Sequence, residues 1–328
     1  MKSFSVSLLM AFLTLFSVSA QNIRHVFEQD EKIGDFGGMV YDLCFSASGK
    51  ALYIPQGNEI SIYDVSTRGL IKKMGKGHTK PILALDLSGD STILASGGLD
   101  SLILIWDIQT AKKIESLNYN HGIVTTLSLN PRNNLLASGS TDKSVSVYDL
   151  KERKIVYILD NLGGEINAVK FSPDGLLLVV ATQEKQVRLY NAVNGKLIAG
   201  LAGHKNGVRD LCFNKSGTQL FSCGDDSRLI TWDLRNLNLI RIINTESYGS
   251  DWLLSVDVNK DTDAQVVAGL DTKITVINNY GKFRRKTGVS VNKVIFRPGM
   301  GDILHLAVAT RGKGVFLIDT MKFDKRDF

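Results

Sequence analysis

The fold is decided by residues 77–107, which read GHTKPILALDLSGDSTILASGGLDSLILIWD. Apolar residues dominate three runs, Ile82 to Leu87, Ile93 to Gly97 and Leu102 to Ile105, which short polar turns separate. Alternation with a period of two predicts strands, and turns this short predict hairpins. The stretch is therefore an antiparallel meander, which needs neighbours on both faces because so small a sheet is not stable alone.

This meander recurs along the chain. Its final dipeptide, Trp106-Asp107, belongs to a series of seven copies at intervals of 41 to 45 residues. The copies are Tyr63-Asp64, Trp106-Asp107, Tyr148-Asp149, Tyr190-Asn191, Trp232-Asp233, Ile277-Asn278 and Ile318-Asp319. A repeat of about forty residues with four short strands matches the blade of a β-propeller.

Two copies carry a fuller pattern, in which Gly77-His78 precedes Trp106-Asp107 and Gly203-His204 precedes Trp232-Asp233. In this pattern the chain resembles the WD-repeat β-propeller family, from about Ile23 to the C-terminal region. The resemblance implies an all-β fold, a seven-bladed β-propeller of four-stranded antiparallel blades. The expected blades are Val40–Gly75, Ile82–Leu117, Ile123–Leu159, Ile166–Leu201, Val208–Ile243, Leu253–Arg285 and Val291–Ile318.

The resemblance also implies that an N-terminal strand closes the ring. Asn22 to Glu28 has strand composition and precedes the first full repeat. We expect this segment to complete blade seven, with Ile23, Val26 and Phe27 as the closing residues, because an unclosed ring exposes two sheet edges.

The first twenty residues differ from the rest of the chain. Lys2 is followed by an apolar segment, Leu8 to Phe16, and then by the small residues Val18-Ser19-Ala20. This pattern predicts a signal peptide of residues 1–20, with the propeller in residues 21–328 and an exported protein in the periplasm or outside the cell. The alternative is a membrane anchor, for which the apolar segment is short. Ala20-Gln21 at the cut resembles exported proteins of Bacteroidota-type bacteria.

Charge and cysteine content restrict the partners. The formal net charge of +6 is dispersed, and we interpret Arg284-Arg285-Lys286 as a solvated turn, so no nucleic-acid partner is predicted. Cys44, Cys212 and Cys223 form no Cys/His cluster, so neither a metal nor another cofactor is predicted. Cys212 and Cys223 lie on neighbouring predicted strands, and the sequence leaves open whether they are bridged.

Histidine, serine and aspartate recur at fixed positions of the repeats. By position in the resembled family they form structural tetrads with an aromatic residue, in which buried polar groups satisfy one another. A hydrolase would need its nucleophile once, whereas these sets recur. The predicted tetrads are His78, Ser96, Asp100 and Trp106; His121, Ser138, Asp142 and Tyr148; and His204, Ser222, Asp226 and Trp232.

The resemblance places one residue of each inner strand at the top mouth of the central channel. It is the residue after the first apolar residue of the strand. The seven are Tyr41, Leu83, Thr125, Asn167, Arg209, Leu254 and Asn292. Leu99, Trp252 and Leu270 are expected on the same face. Aromatic residues, leucines and an arginine around a concave mouth are typical of a binding hot spot, although these side chains could instead pack on neighbouring loops.

These observations predict a non-catalytic scaffold of the cell envelope or extracellular space, monomeric by itself and without a membrane span in the mature chain. It would bind a protein or peptide through the top face of the propeller. One alternative is a propeller enzyme, a hydrolase or lyase, with its site at the channel mouth. Arg209 is the only charged residue of the predicted ring, which argues against acid–base chemistry. The other alternative is a sensor module detached from signalling domains.

Overall fold

A computed structural model of the chain describes residues 31–34, 36, 38–244, 252–299 and 305–320. The described residues form seven four-stranded antiparallel sheets, the blades of a propeller. In the first six blades the strands follow one another from the inside to the outside, and in blade seven the outermost strand comes from the N-terminal part of the chain. The prediction of an all-β, seven-bladed β-propeller is confirmed.

The blades have the following strands. Blade one contains β2 Cys44–Phe45, β3 Ala51–Gln56, β4 Glu59–Asp64 and β5 Leu70–Met74; blade two, β6 Ile82–Leu87, β7 Ile93–Gly98, β8 Ile103–Asp107 and β9 Lys113–Leu117; blade three, β10 Val124–Leu129, β11 Leu135–Ser140, β12 Val145–Asp149 and β13 Lys154–Leu159; blade four, β14 Ile166–Phe171, β15 Leu177–Thr182, β16 Gln186–Asn191 and β17 Leu197–Ala202. Blade five contains β18 Val208–Phe213, β19 Gln219–Gly224, β20 Arg228–Asp233 and β21 Asn238–Asn244; blade six, β22 Leu253–Val258, β23 Gln265–Gly269, β24 Lys273–Asn278 and β25 Gly281–Lys286; blade seven, β26 Val291–Phe296, β27 His305–Thr310, β28 Val315–Asp319 and β1 Lys32–Gly34.

The core lies between the blades. Each apolar cluster joins two neighbouring sheets; Val187 and Leu189 of blade four, for example, pack with Leu211 and Trp232 of blade five. Alternation along the strands explains this arrangement, because successive side chains point to opposite faces and so to opposite neighbouring blades. Every blade therefore needs a neighbouring blade on each of its two faces, as expected for a meander that is not stable alone.

The ring is closed by β1, which pairs with β28 through Lys32 opposite Phe316 and Gly34 opposite Val315. Ile33 is buried, and both carboxylate oxygens of Glu31 accept hydrogen bonds from Arg285 of blade six, at 3.0 and 2.8 Å. Closure by an N-terminal strand is confirmed, but the strand begins at Lys32 and lies beyond the predicted Asn22–Glu28. Ile23, Val26 and Phe27 lie outside the described residues, as does the predicted signal peptide.

The strands also decide the pairing of the cysteines and the structure of the segment Arg284 to Lys286. Cys212 and Cys223 are free thiols, because Cys212 lies opposite Phe221 and Cys223 opposite Asp210. Arg284 to Lys286 belongs to β25, so the interpretation of this segment as a turn was wrong. No helix in the described part of the chain is long and apolar enough to cross a membrane.

Candidate protein-binding site at the channel mouth

A β-bulge marks the start of six of the seven inner strands. In β6, for example, Ile82 lies opposite Gly98 and Ala84 opposite Gly97, so Leu83 has no residue opposite it. A bulge bends its strand and turns the extra side chain away from the ladder. The bulged residues are Leu83, Thr125, Asn167, Arg209, Leu254 and Asn292. The predicted ring positions of blades two to seven are therefore the bulges, which hold their side chains at the channel.

All seven predicted ring residues line one cavity of about 110 Å³ in the centre of the propeller. Six further residues line it, of which Asp42, Lys170, Asp210 and Lys293 are charged. The ring prediction thus placed the seven side chains together, and their role in binding stays a prediction.

The mouth carries exposed apolar surface. Met39, Tyr41 and Trp252 are 50%, 39% and 43% exposed, and the Tyr41 hydroxyl donates a hydrogen bond of 3.5 Å to the Met39 sulfur. Leu83 and Leu254 are half-buried beside them in the cavity wall. Leu99 and Leu270, expected on the same face, are also half-buried.

Three polar ring residues bind the neighbouring blade. Thr125 donates its hydroxyl to the carbonyl of Ile166, and the side-chain amides of Asn167 and Asn292 donate to the carbonyls of Val208 and Val40, at 2.8 and 3.0 Å. These bonds join blades three to four, four to five and seven to one. Their donors are used within the propeller, so these three side chains are less available to a partner than the sequence predicts.

Arg209 is also engaged. Its guanidinium forms a bidentate ion pair with Asp225, at 2.6 and 2.8 Å, and lies 4.9 Å from the ring centre of Trp252. A planar guanidinium can meet a carboxylate and an aromatic face together. Arg209 therefore packs against the ring of Trp252, and its charge is already balanced by Asp225.

Four charged side chains in the cavity wall were missed by the sequence analysis. Lys293 of blade seven lies 2.9 Å from Asp210 of blade five and 3.8 Å from Asp42 of blade one. Lys170 of blade four lies 3.8 Å from Asp86 of blade two. The sequence does contain a signal, since Asp42, Asp210 and Lys293 each directly follow a ring residue.

Burial and neighbouring charges act in opposite directions on this cluster. Burial by itself lowers the pKa of Lys293, but the Asp210 and Asp42 carboxylates outweigh it, so the pKa lies above its ordinary value. Burial raises the pKa of Asp86, and the Lys170 ammonium only partly offsets that rise. Lys293 is therefore a charged ammonium held between two carboxylates.

The carboxylates also bind backbone amides across the gaps between blades. Asp42 accepts a hydrogen bond from the Leu85 amide at 2.9 Å, and Asp86 accepts one from Leu129 at 2.6 Å. Asp210 accepts one from Val256 at 3.2 Å. Inner strands are sheet edges whose amides need acceptors, and these side chains supply them.

Two of the predicted tetrads are present as hydrogen-bonded sets. His78 lies 3.0 Å from Asp100 through Nδ1 and 2.8 Å from Ser96 through Nε2, and the Trp106 indole donates to Ser96 at 2.8 Å. His204, Ser222, Asp226 and Trp232 repeat these contacts. Burial acts to raise the pKa of Asp100, but hydrogen bonds from Thr79 and His78 outweigh it and lower the pKa.

The third predicted tetrad was wrong at His121. This residue is exposed, and only its backbone amide reaches Asp142, at 2.9 Å. Asn120 is buried in its place, with Oδ1 3.4 Å from the Ser138 hydroxyl, while Tyr148 stacks on Tyr119. Asn120 precedes Ser138 by 18 residues and Asp142 by 22, as His78 precedes Ser96 and Asp100, so counting back from these residues finds it.

Fold, repeats and tetrads define a WD-repeat β-propeller. The chain matches the family described as the IFT122 first beta-propeller over residues 39–315, and it belongs to that family. It is 34% identical to intraflagellar transport protein 122 homolog of Danio rerio over 93 residues, which are 28% of this chain and 8% of that protein. It is 31% identical to WD repeat domain-containing protein 83 homolog of Dictyostelium discoideum over 120 residues, 36% of this chain and 35% of that protein. The matched segments thus span only a minor part of these relatives.

Proposed function

We propose that this chain is a non-catalytic scaffold that binds a protein or peptide through the mouth of its central channel. The observation that carries the proposal is the exposed apolar surface formed by Met39, Tyr41 and Trp252 at the edge of the cavity. Exposed aromatic side chains whose position is fixed by contacts with their neighbours are typical of binding hot spots. Membership of a propeller family and similarity to WD-repeat proteins favour the same function.

The charged residues of the cavity favour a structural role over acid–base chemistry. Asp42 and Asp210 accept hydrogen bonds from backbone amides and lie beside Lys293, so their carboxylate oxygens already have partners within the propeller. No group of three or more His, Cys, Asp or Glu side chains within the described ranges could hold a metal ion. Arg209, which could have met a partner's carboxylate, already pairs with Asp225. Apolar contact is therefore the main interaction available at the mouth.

The cellular place of this scaffold is also part of the proposal. The signal-peptide pattern of Lys2, Leu8 to Phe16 and Ala20 supports export to the periplasm or the outside of the cell. Intact-mass measurement of the protein recovered from the exported fraction should give a chain that begins at Gln21. A chain that retains residues 1–20 in that fraction would contradict cleavage.

A displayed peptide library tests the binding surface. We expect the immobilised propeller to enrich related peptides, whose dissociation constants calorimetry then measures. Tyr41→Ala should weaken binding by about tenfold or more, equivalent to about 1.4 kcal/mol, because it removes an aromatic contact. Tyr280→Ala is the matched control, since Tyr280 is exposed in the turn between β24 and β25. Peptides that bind wild type, Tyr41→Ala and Trp252→Ala equally would place the site elsewhere.

A further inference from the structure

The outer strands of blades five and six turn positive side chains toward one another. β21 is the outer strand of blade five and β25 that of blade six. Arg241 lies opposite Thr231, two residues along the strands from the pair Leu229 and Ile243, whose side chains pack against blade six. Side chains alternate between the two faces of a strand, so residues two apart point the same way. Arg241 therefore faces blade six together with Ile243.

The same argument gives the orientation of β25. Lys282 lies opposite Ile277, which packs in the cluster shared by blades five and six, and Arg284 lies opposite Thr275 on the same face. Phe283 packs on the cluster of blades six and seven and thus points the other way. Lys282 and Arg284 therefore face blade five, across a groove from Arg241. We call the space between β21 and β25 the rim groove.

The charges in the rim groove repel one another. Burial, Arg284 and Arg241 together lower the pKa of Lys282, which places positive charges close to it on both walls. Within the described ranges, neither Arg241 nor Lys282 forms an ion pair. Two cations that face away from this groove do have anionic partners: Lys73 of β5 pairs with Glu59 at 3.4 Å, and Arg285 of β25 pairs with Glu31. A concentration of like charge costs stability and attracts anions.

The adjoining edge offers a second kind of contact. β21 has seven residues and pairs only with β20 within the described part of the chain. Ile240 and Ile242 are 50% and 39% exposed on it. An open edge with exposed apolar side chains is a template for an added strand, whose backbone would hydrogen-bond to β21.

We propose that β21 and the rim groove bind an acidic, extended peptide segment of a partner protein, which adds to blade five as a fifth strand. Because side chains alternate along such a strand, its carboxylates would face Arg241 and Lys282 while its apolar residues would cover Ile242 on the opposite face. The recognised segment is therefore one in which acidic and apolar residues alternate. Carboxylates in this position would relieve the repulsion between the two groove walls.

A peptide fits this surface better than a nucleic acid does. Binding to a phosphate backbone rests on many cations along a stripe, whereas the rim groove offers a short cluster beside isoleucines. The edge of β21, which pairs only with β20 among the described residues, also matches the hydrogen-bonding groups of an extended peptide. The site lies at the outer edge of the propeller and is independent of the channel mouth.

Fluorescence anisotropy with a labelled peptide of five Glu-Val repeats tests the proposal. Wild type should bind this probe, and should bind the same composition rearranged as five glutamates followed by five valines more weakly. The double variant Arg241→Gln/Lys282→Gln should lose affinity about tenfold or more. The matched control is Lys113→Gln/Lys154→Gln, which removes two exposed lysines from the outer strands of blades two and three. Tyr41→Ala should bind the probe like wild type, which separates this site from the channel mouth.

The control measurements make the outcome decisive. Circular dichroism and a melting curve establish that the groove variant folds, and removal of like charges should leave its melting temperature unchanged or raised. Equal probe affinity in the groove and control variants would overturn the proposal. So would equal affinity for the alternating and the rearranged peptide, or tighter binding of a DNA duplex of equal charge.

Discussion

Trp106 and Trp232 donate their indole N–H groups to buried serines, whereas Trp252 lies exposed on a guanidinium. The three tryptophans of the chain thus have two different roles, and the difference lies in what the ring touches. Trp232 fills the space between blades four and five and satisfies Ser222. Trp252 covers Arg209 and leaves much of its ring available to a partner.

This difference predicts different costs of substitution. Trp232 is 1% exposed, so Trp232→Ala should lower the free energy of unfolding by about 3–5 kcal/mol through a cavity and the loss of one of the two hydrogen bonds of Ser222. Trp252→Ala should cost at most about 1 kcal/mol, the size of an exposed cation–π contact. Urea denaturation of both variants measures the difference. Equal shifts in the denaturation midpoint would contradict the assignment of Trp232 to the core.

The sequence predicted single residues well where the same residue type recurs in the repeats, and poorly where another residue type occupies the position. His78 and His204 were found because the glycine and histidine are adjacent in both copies. His121 was chosen over Asn120 because residue type was followed instead of spacing. Arg209 was expected to be available, since nothing local indicates that Asp225 lies close to it in the fold.

Secondary-structure elements were predictable from alternation, but their irregularities were not. Each bulge at an inner strand inserts one residue, so that Ile82 and Leu85, three apart in the sequence, pack in the same cluster, whereas plain alternation expects residues two apart. The ring residues were located correctly because the family's pattern places them after the first apolar residue, and the structure gives the physical cause. The closing strand was assigned to Asn22–Glu28 because that segment is more apolar, whereas the three-residue β1 has the sequence Lys32-Ile33-Gly34.

Ring closure by β1 leads to a prediction at the scale of this element. A chain that begins at Glu31 keeps β1 and the ion pair between Glu31 and Arg285, so its melting temperature should match that of a chain beginning at Gln21. A chain that begins at Phe36 lacks β1, exposes the edge of β28 and removes the buried Ile33. We expect it to melt at a lower temperature and to aggregate. Light scattering and a thermal melt compare the three chains, and loss of stability already in the Glu31 chain would move the closing contact upstream.

The charged side chains of the channel act on the propeller as a whole. Lys293 contacts residues of blades five and one, and Ser255 of blade six donates a hydrogen bond to the same Asp210 carboxylate at 3.2 Å. The cluster therefore links four consecutive blades around the point where the ring closes. The sequence places Asp42, Asp210 and Lys293 next to ring residues, but local patterns contain no information on which blades meet across the channel, so the pairing of these charges could not be predicted. Removing this network should therefore destabilise the whole propeller and not one blade alone.

Lys293→Met tests this network with little change in side-chain volume. It removes the ammonium that pairs with Asp210 and Asp42, and breaking a fully buried pair costs roughly 3–5 kcal/mol. The cost should be smaller here, because the Lys293 side chain is 18% exposed. In wild type the raised pKa of Lys293 keeps its stabilisation complete at neutral pH, since such a contribution is lost only as the pH rises through the folded-state pKa.

The pH dependence of the variant distinguishes a lost charge pair from lost packing. A carboxylate buried without its ion-pair partner destabilises a protein only while it is charged, so the penalty of a lost charge pair fades as acid protonates the carboxylate. The stability deficit against wild type, measured by urea denaturation, should therefore be largest near neutral pH and shrink in acid. Adding Asp210→Asn should recover part of the loss at neutral pH, because it removes the uncompensated charge. A deficit that is the same at both pH values and is not relieved by the second substitution would assign the role of Lys293 to packing.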